Sequence, residues 1–203
     1  MADRLADDII SLLGQLQASR AAFETQWTHV SNVAAPEAQS FRRLSALGML
    51  TGLPKSAAAS ERSKYLFDST AINAVERLAA GIEAIVTPQS DYWHGLELQN
   101  LTRPKARDEE KAWLQDVRDL QFKIRYDADS GFIPALHTVY RRVVAFGNAF
   151  MFAEEADQFE TAAMIYYRYM PLAESFISTD HRDVVNTFYR HYVLTAAQAL
   201  AKF

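Results

Sequence analysis

Among protein side chains, histidine and the carboxylates are the ones that most often bind metals or transfer protons. Their spacing in the sequence decides which of these roles is possible. The five histidines are His29, His94, His137, His181 and His191. None lies with a carboxylate or a second histidine at a spacing that places both on one helical face. The nearest cluster, Asp180, His181 and Asp183, falls in a predicted turn. Local hydrogen bonding by solvated charges is the favoured interpretation there, ahead of a metal site.

Other catalytic patterns are missing from the sequence. The carboxylate pairs Glu109-Glu110 and Glu154-Glu155 are adjacent, so their side chains diverge on a helix or a strand. There is no G-x-S-x-G, no G-x-x-x-x-G-K and no G-x-G-x-x-G after a strand. The chain has no cysteine, which excludes disulfides, thiolate nucleophiles and Cys-based zinc sites. The sequence therefore predicts no active site, no bound metal and no cofactor.

Charge bears on the class of partner. The chain of 203 residues has a formal net charge of −4, which argues against a protein that works mainly by neutralising phosphates. Two basic patches remain. The pair Arg141-Arg142 is interpreted as solvated surface. The arm from Arg42 to Lys64 is interpreted as a solvated loop, but a nucleic-acid-binding module that uses residues 42–64 stays open as an alternative. No stretch is long and apolar enough for a membrane span, which favours a soluble chain.

Helical periodicity covers most of the first 147 residues. Apolar residues at three- and four-residue steps predict a long amphipathic helix over 3–33, and residues 36–67 form an irregular arm without a period. Asp68 and Ser69 supply cap chemistry for a second helix that ends before Pro88. A third helix is capped by Thr102, and a fourth runs over 133–146 and stops at Gly147. The core stripe of the third helix is predicted as Trp113, Val117, Leu120 and Ile124.

From residue 149 the period changes to two. Strands are predicted over 149–153, 163–170, 174–178 and 184–194, with a turn at 180–183 and an additional short strand over 93–98. The predicted fold class is α+β, with N-terminal helices packed on a C-terminal antiparallel sheet. The strand from Met164 to Met170 is apolar on both faces. It is therefore expected to be buried on both sides or to contact a partner subunit.

The last predicted element is a helix at the end of the chain. Thr195 and Gln198 have the spacing of a capping box, and the chain then stops at Phe203. A helix of two turns is marginal alone, so we expect the sequence to be a fragment of a longer protein.

Four segments, in chain order, resemble the portal or head-to-tail connector proteins of T7-like short-tailed bacteriophages. The first is the N-terminal helix with Arg20 and Trp27. The second starts at Tyr65 and runs to Pro88 and Trp93. The third is the helix-to-strand turn at 144–149, and the fourth is the strand at 186–190 with the capped helix after it. The candidate family-motif or interface residues are Trp27, Asp68, Thr70, Trp93, Gly147, Tyr167, Arg190 and Thr195.

The resemblance implies a structural virion protein and no catalysis. It implies a subunit of a homo-oligomeric, typically dodecameric ring at one capsid vertex, made in the host cytoplasm, through which DNA is packaged and ejected. Its implied partners are other portal subunits, terminase, capsid and tail adaptor proteins, and duplex DNA passing the channel; no membrane is involved.

By the same resemblance, residues 1–203 form a single portal wing-like region. Its parts are a helix at 1–35, the arm at 36–67, a helical part at 68–147, the sheet at 148–194 and the helix start at 195–203. The stem, clip and crown of the family are absent, which is equally compatible with a shortened chain and with a decayed prophage gene.

Overall fold

A computed structural model describes residues 2–38, 66–98, 107–156, 163–192 and 194–202. The helices are α1 (Ala2–Val33), α2 (Thr70–Val86), α3 (Asp108–Arg125), α4 (Phe132–Phe146) and α5 (Ala196–Lys202). The strands are β1 (Phe150–Glu155), β2 (Ile165–Met170), β3 (Ser175–Thr179) and β4 (Val185–Arg190). The predicted α+β class is confirmed. Most of the predicted arm, at 39–65, and the proposed cap Thr102 lie outside the described residues.

The strands form two two-stranded sheets, β1–β2 and β3–β4, where the sequence predicted one sheet. Pairing is interrupted between β2 and β3 because Pro171 has no N–H and a 3₁₀ turn follows at Leu172–Glu174. β3 and β4 are antiparallel, with Ser175 opposite Arg190. The turn between them is the predicted one: the Asp180 carboxylate accepts the backbone N–H groups of Arg182 at 2.7 Å and Val184 at 3.1 Å.

The chain divides into two compact units. The first unit contains the described residues up to Ala74, together with Ala145–Phe150 and the residues from Met170 onward; the second contains Val75–Val144 and Met151–Tyr169. In the first unit α1 packs against β3. Its core consists of buried Ala35, Ala38, Phe146 and Leu172, with Trp27, Val30, Ala145, Phe150 and Ala173 packed against them.

Arg20 joins α1 to the segment that leads into β3. Its Nη1 donates hydrogen bonds to the carbonyls of Leu172 at 3.0 Å and Ser175 at 2.7 Å. Its Nη2 bonds the carbonyl of Ala173 at 3.1 Å and Glu24 Oε1 at 2.7 Å. The guanidinium also lies 3.8 Å from the ring centre of Phe176. Burial lowers the pKa of Arg20, and the neighbouring Glu24 carboxylate opposes that shift.

In the second unit a tight corner connects α3 to α4. Ser130 is fully buried, and its hydroxyl donates to the Arg125 carbonyl at 2.7 Å and accepts the Phe132 N–H at 3.2 Å. Gly131 follows with a φ of 67°. A Cβ atom added there would lie 2.8 Å from the Tyr167 carbonyl oxygen. Only glycine fits this corner, because both the dihedral angle and the space exclude a side chain.

Three predictions about the second unit are wrong: the strand at 93–98, the start of the third helix and the core stripe of that helix. The segment 93–98 is extended but belongs to no sheet, because no described strand pairs with it. Helix α3 begins at Asp108, several residues after Thr102, because the Glu110 carboxylate accepts the N–H of Arg107 at 2.8 Å and caps the helix there. Within that helix Trp113 and Leu120 are 60% and 55% exposed, so they are not core residues.

The arginine pair on α4 also differs from its prediction as solvated surface. Arg142 is 6% exposed, and its guanidinium lies 5.9 Å from the ring centre of Tyr169. Arg141 forms a salt bridge with Glu76 of α2. Both side chains are used in packing within the second unit, since a long aliphatic stem and a planar guanidinium can be buried together when partners are present.

The two left-handed glycines allow a matched test of the corner. Gly131→Ala and Gly147→Ala both place alanine at a positive φ, which costs about 1–2 kcal/mol. Only the first also meets a backbone atom, since a Cβ at Gly147 has nothing within 4 Å. We expect Gly131→Ala to lower the free energy of unfolding by about 1–3 kcal/mol more than Gly147→Ala. Urea unfolding followed by circular dichroism measures both, and equal losses would contradict the clash.

Arg20→Lys keeps the charge but removes the planar fork that bonds three carbonyls. We expect a loss of about 2 kcal/mol in the free energy of unfolding, because hydrogen bonds to a buried charged group are lost. Arg182→Lys, on the exposed turn after β3, is the matched control, with an expected change within about 0.5 kcal/mol. Thermal unfolding of the two variants beside the parent chain measures the difference. Similar stabilities for both variants would show that Arg20 acts as a simple positive charge.

Candidate assembly surface

The eight candidate residues are divided between the two units. Trp27, Asp68, Thr70, Gly147, Arg190 and Thr195 lie in the first unit, and Trp93 and Tyr167 lie in the second. Each group is therefore described within its own unit. Trp27 packs against the core of the first unit and lies 5.9 Å from the Arg20 guanidinium. Gly147 ends α4 with a φ of 77°, as its position in the sequence predicted.

Three of the candidates lie at the beginnings of helices, and two of them, Asp68 and Thr195, are capping residues. Asp68 accepts the backbone N–H of Thr70 at 3.0 Å at the start of α2, and hydrogen bonds from Thr70 lower the pKa of Asp68. Thr195 and Gln198 form the predicted capping box, with bonds of 3.0 Å and 3.3 Å between each side chain and the other residue's backbone N–H. These contacts are local. They satisfy the free N–H groups at the beginning of α2 and α5.

Arg190 is bound within its own chain. Its Nε and Nη2 donate to Glu174 Oε2 at 3.0 Å and 2.9 Å, and its guanidinium lies 4.1 Å from the ring centre of Tyr192. The carbonyl of Glu174 also accepts the N–H of His191 at 2.8 Å. Sequence reasoning identified Arg190 and missed Glu174, because the two residues are 16 positions apart and meet only when β3 pairs with β4.

Trp93 and Tyr167 lie in one continuous row of aromatic rings in the second unit. We call this row the aromatic column. Successive ring centres are 4.7–5.9 Å apart, in the range of favourable aromatic contacts. The column consists of Trp93, His94, Phe122, Tyr126, Phe132 and Tyr167. Trp93 Nε1 donates to the Tyr126 hydroxyl at 3.0 Å, so the extended segment is fixed to α3 although it joins no sheet.

The arrangement closest to catalytic chemistry surrounds His137. Its Nδ1 lies 2.8 Å from a Glu83 oxygen, and its Nε2 lies 3.7 Å from Glu76. A histidine between carboxylates is suited to proton transfer. However, the Glu76 carboxylate also pairs with Arg141 of α4. It serves as a contact between α2 and α4. The sequence did not reveal it because its members are contributed by two helices.

One cleft of the second unit lies between the extended segment and α3. A cleft of about 240 Å³ lies between Gly95 and Leu96 on one side and Lys111, Leu114, Gln115 and Arg118 on the other. Its volume is below the usual range for ligand sites, about 300–1,000 Å³. Across the described ranges, no three His, Asp or Glu side chains are grouped to hold a metal ion. Nor does any described helix have the length and apolar character to cross a bilayer.

Comparison with known proteins gives a consistent result. The family model for the bacteriophage head to tail connecting protein matches residues 6–203, which include all eight candidate residues. A probable portal protein of Bordetella phage BPP-1 is 29% identical over 197 residues. The alignment covers 96% of this chain and 32% of that protein, so the chain spans about a third of the length of this relative.

The resemblance carried by the four sequence segments is therefore confirmed over nearly the whole chain. The α+β arrangement and the helix-to-strand turn at Gly147 lie within the matched region. The chain belongs to the family of bacteriophage head to tail connecting proteins.

Proposed function

We propose that the chain is a structural part of a phage portal, the ring through which DNA is packaged and ejected. The observation that carries this proposal is the family match over residues 6–203 together with the similarity to a probable portal protein. In this role the chain is a virion component that contacts other copies of itself, and the ring meets terminase, capsid and tail adaptor proteins. The whole of 1–203 is one wing-like region of that ring.

The structure supports a packing role in preference to a catalytic one. Three charged or titratable side chains have the surroundings closest to those of catalytic groups: His137, Arg190 and Arg20. Each of them is used in contacts within its own unit. These contacts position helices and strands relative to each other within a unit. We propose no catalytic activity for the chain.

Nothing found by comparison favours the alternative, a nucleic-acid-binding module. Its basic residues at 42–64 lie outside the described residues. Tight DNA binding requires several phosphates to be neutralised by basic side chains. The net charge of −4 therefore favours a chain that lets DNA pass without binding it tightly.

The location of the chain in phage particles tests the proposal. We expect an antibody raised against residues 1–203 to label purified, gently opened particles at a single vertex in electron micrographs, because a portal occupies one vertex. An antibody against the major capsid protein is the control and should label the whole shell. Labelling spread over the capsid, or absence of the chain from particles, would contradict a portal role.

Duplex DNA binding separates the two functions. We expect the 203-residue chain to bind duplex DNA no more tightly than about 10⁻⁶ M at physiological salt, which is ordinary non-specific affinity. A fluorescence anisotropy titration at two salt concentrations measures it. A sub-micromolar Kd that weakens steeply with salt, and that is lost when Arg42, Arg43 and Lys55 are replaced by alanine, would support the nucleic-acid-binding module instead.

A further inference from the structure

Helices α2 and α3 expose large apolar side chains at matching positions within the second unit. On α2, Leu78 and Ile85 are 55% and 83% exposed. On α3, Trp113 and Leu120 are 60% and 55% exposed. Residues seven positions apart lie on the same helical face, about 10.5 Å apart along the axis. We call these surfaces the α2 face and the α3 face. Because both are exposed, neither covers the other within one chain.

The residues between the apolar pairs differ in size. Gly81 occupies the centre of the α2 face, and a Cβ atom added there would have nothing within 4 Å. A glycine inside a helix costs about 1 kcal/mol relative to alanine, and no close contact with the described residues accounts for it. The open space above Gly81 can accommodate a large side chain such as that of Trp113.

The charges beside the apolar pairs have opposite signs. Arg77 is exposed next to Leu78, and Asp116 is exposed between Trp113 and Leu120. Neither has an ion-pair partner within the part of the chain that the structure describes. A positive group on one face and a negative group on the other would pair across a contact and would repel a contact of either face with itself.

We propose that the α2 face of one copy of this chain packs against the α3 face of a second copy, with Trp113 over Gly81 and Arg77 beside Asp116. The inference rests on the proposed function, which requires identical neighbours around a ring. A contact between two different faces of one chain is the kind that a ring uses, because each subunit then has one free α2 face and one free α3 face.

Complementation between two variants tests this pairing. Ile85→Glu places a negative charge in the apolar part of the α2 face, and Trp113→Lys replaces the ring over Gly81 with a positive charge, so that each variant disrupts one face only. We expect the parent chain to self-associate in sedimentation velocity, and each variant alone to be a monomer. An equimolar mixture should form a species of twice the monomer mass and nothing larger, because only one intact face of each kind remains.

The other outcomes contradict the proposal. Continued self-association of one variant alone would show that a face pairs with itself or that the contact lies elsewhere. A monomeric mixture, or a parent chain that is monomeric at its highest attainable concentration, would show that the two faces do not bind each other. The fluorescence of Trp113 is obtained as the difference between the parent chain and Trp113→Phe, because Trp27 and Trp93 also emit. If this difference indicates a buried Trp113 at every dilution, the chain covers this face itself. Circular dichroism verifies that both variants are folded.

Gly81 provides a readout that separates docking from folding. Gly81→Gln should raise the Kd for self-association at least about tenfold, as expected for a residue at the centre of an interface. It should also raise the melting temperature, because glutamine has the higher helix propensity. Gly14→Gln is the matched control, since Gly14 is an exposed glycine inside α1 with nothing within 4 Å of its Cβ position. It should raise the melting temperature with no change in the Kd.

The same variants distinguish this inference from the proposed function. If phage that carry Trp113→Lys still assemble single-vertex portals at the normal level, the docking assignment is wrong while the portal role stands. If the parent chain is absent from that vertex, the portal role is wrong whatever the two faces bind. We expect Trp113→Lys to reduce the yield of particles with a labelled vertex at least about tenfold.

Discussion

The first unit depends on how the carbonyl groups of residues 172–175 are satisfied. A short 3₁₀ turn before a two-stranded sheet leaves carbonyls that no strand can pair, and burying them without donors would be costly. Arg20 supplies those donors from α1, more than 150 positions away in the sequence. Because a guanidinium has five N–H groups in a fixed plane, one side chain can bond three carbonyls and a carboxylate. Helix α1 is thereby held against β3.

The second unit is organised by aromatic packing and by a glycine corner. The aromatic column links the extended segment at 92–98, α3, α4 and β2 through ring contacts, and Gly131 lets the backbone of α4 approach β2 closely. This arrangement uses the inward side of α3 for Phe122 and Tyr126. The opposite side, with Trp113 and Leu120, faces solvent.

Local signals in the sequence were sufficient for α1, α2, α4 and the turn at Asp180, because periodicity, caps and glycine stops act within a few residues. The segment at 93–98 was misassigned because a strand is defined by a partner, and alternation in one segment says nothing about a partner. Trp113 and Leu120 were misassigned because periodicity shows that a helix face is apolar and not what covers it. The Arg20 and His137 contacts join distant parts of the chain, so no spacing rule reveals them.

In the proposed ring, the misassigned side of α3 meets a physical requirement of assembly. A subunit of a closed ring must retain apolar surface that its own core does not use, because association is driven by burial of that surface. Such surface also promotes unspecific aggregation before assembly. Placing single opposite charges, Arg77 and Asp116, beside the two apolar pairs limits this risk, since like faces repel and unlike faces attract. Trp113 and Leu120, which make α3 resemble a core helix in the sequence, are therefore the residues that the proposal assigns to binding a neighbouring copy.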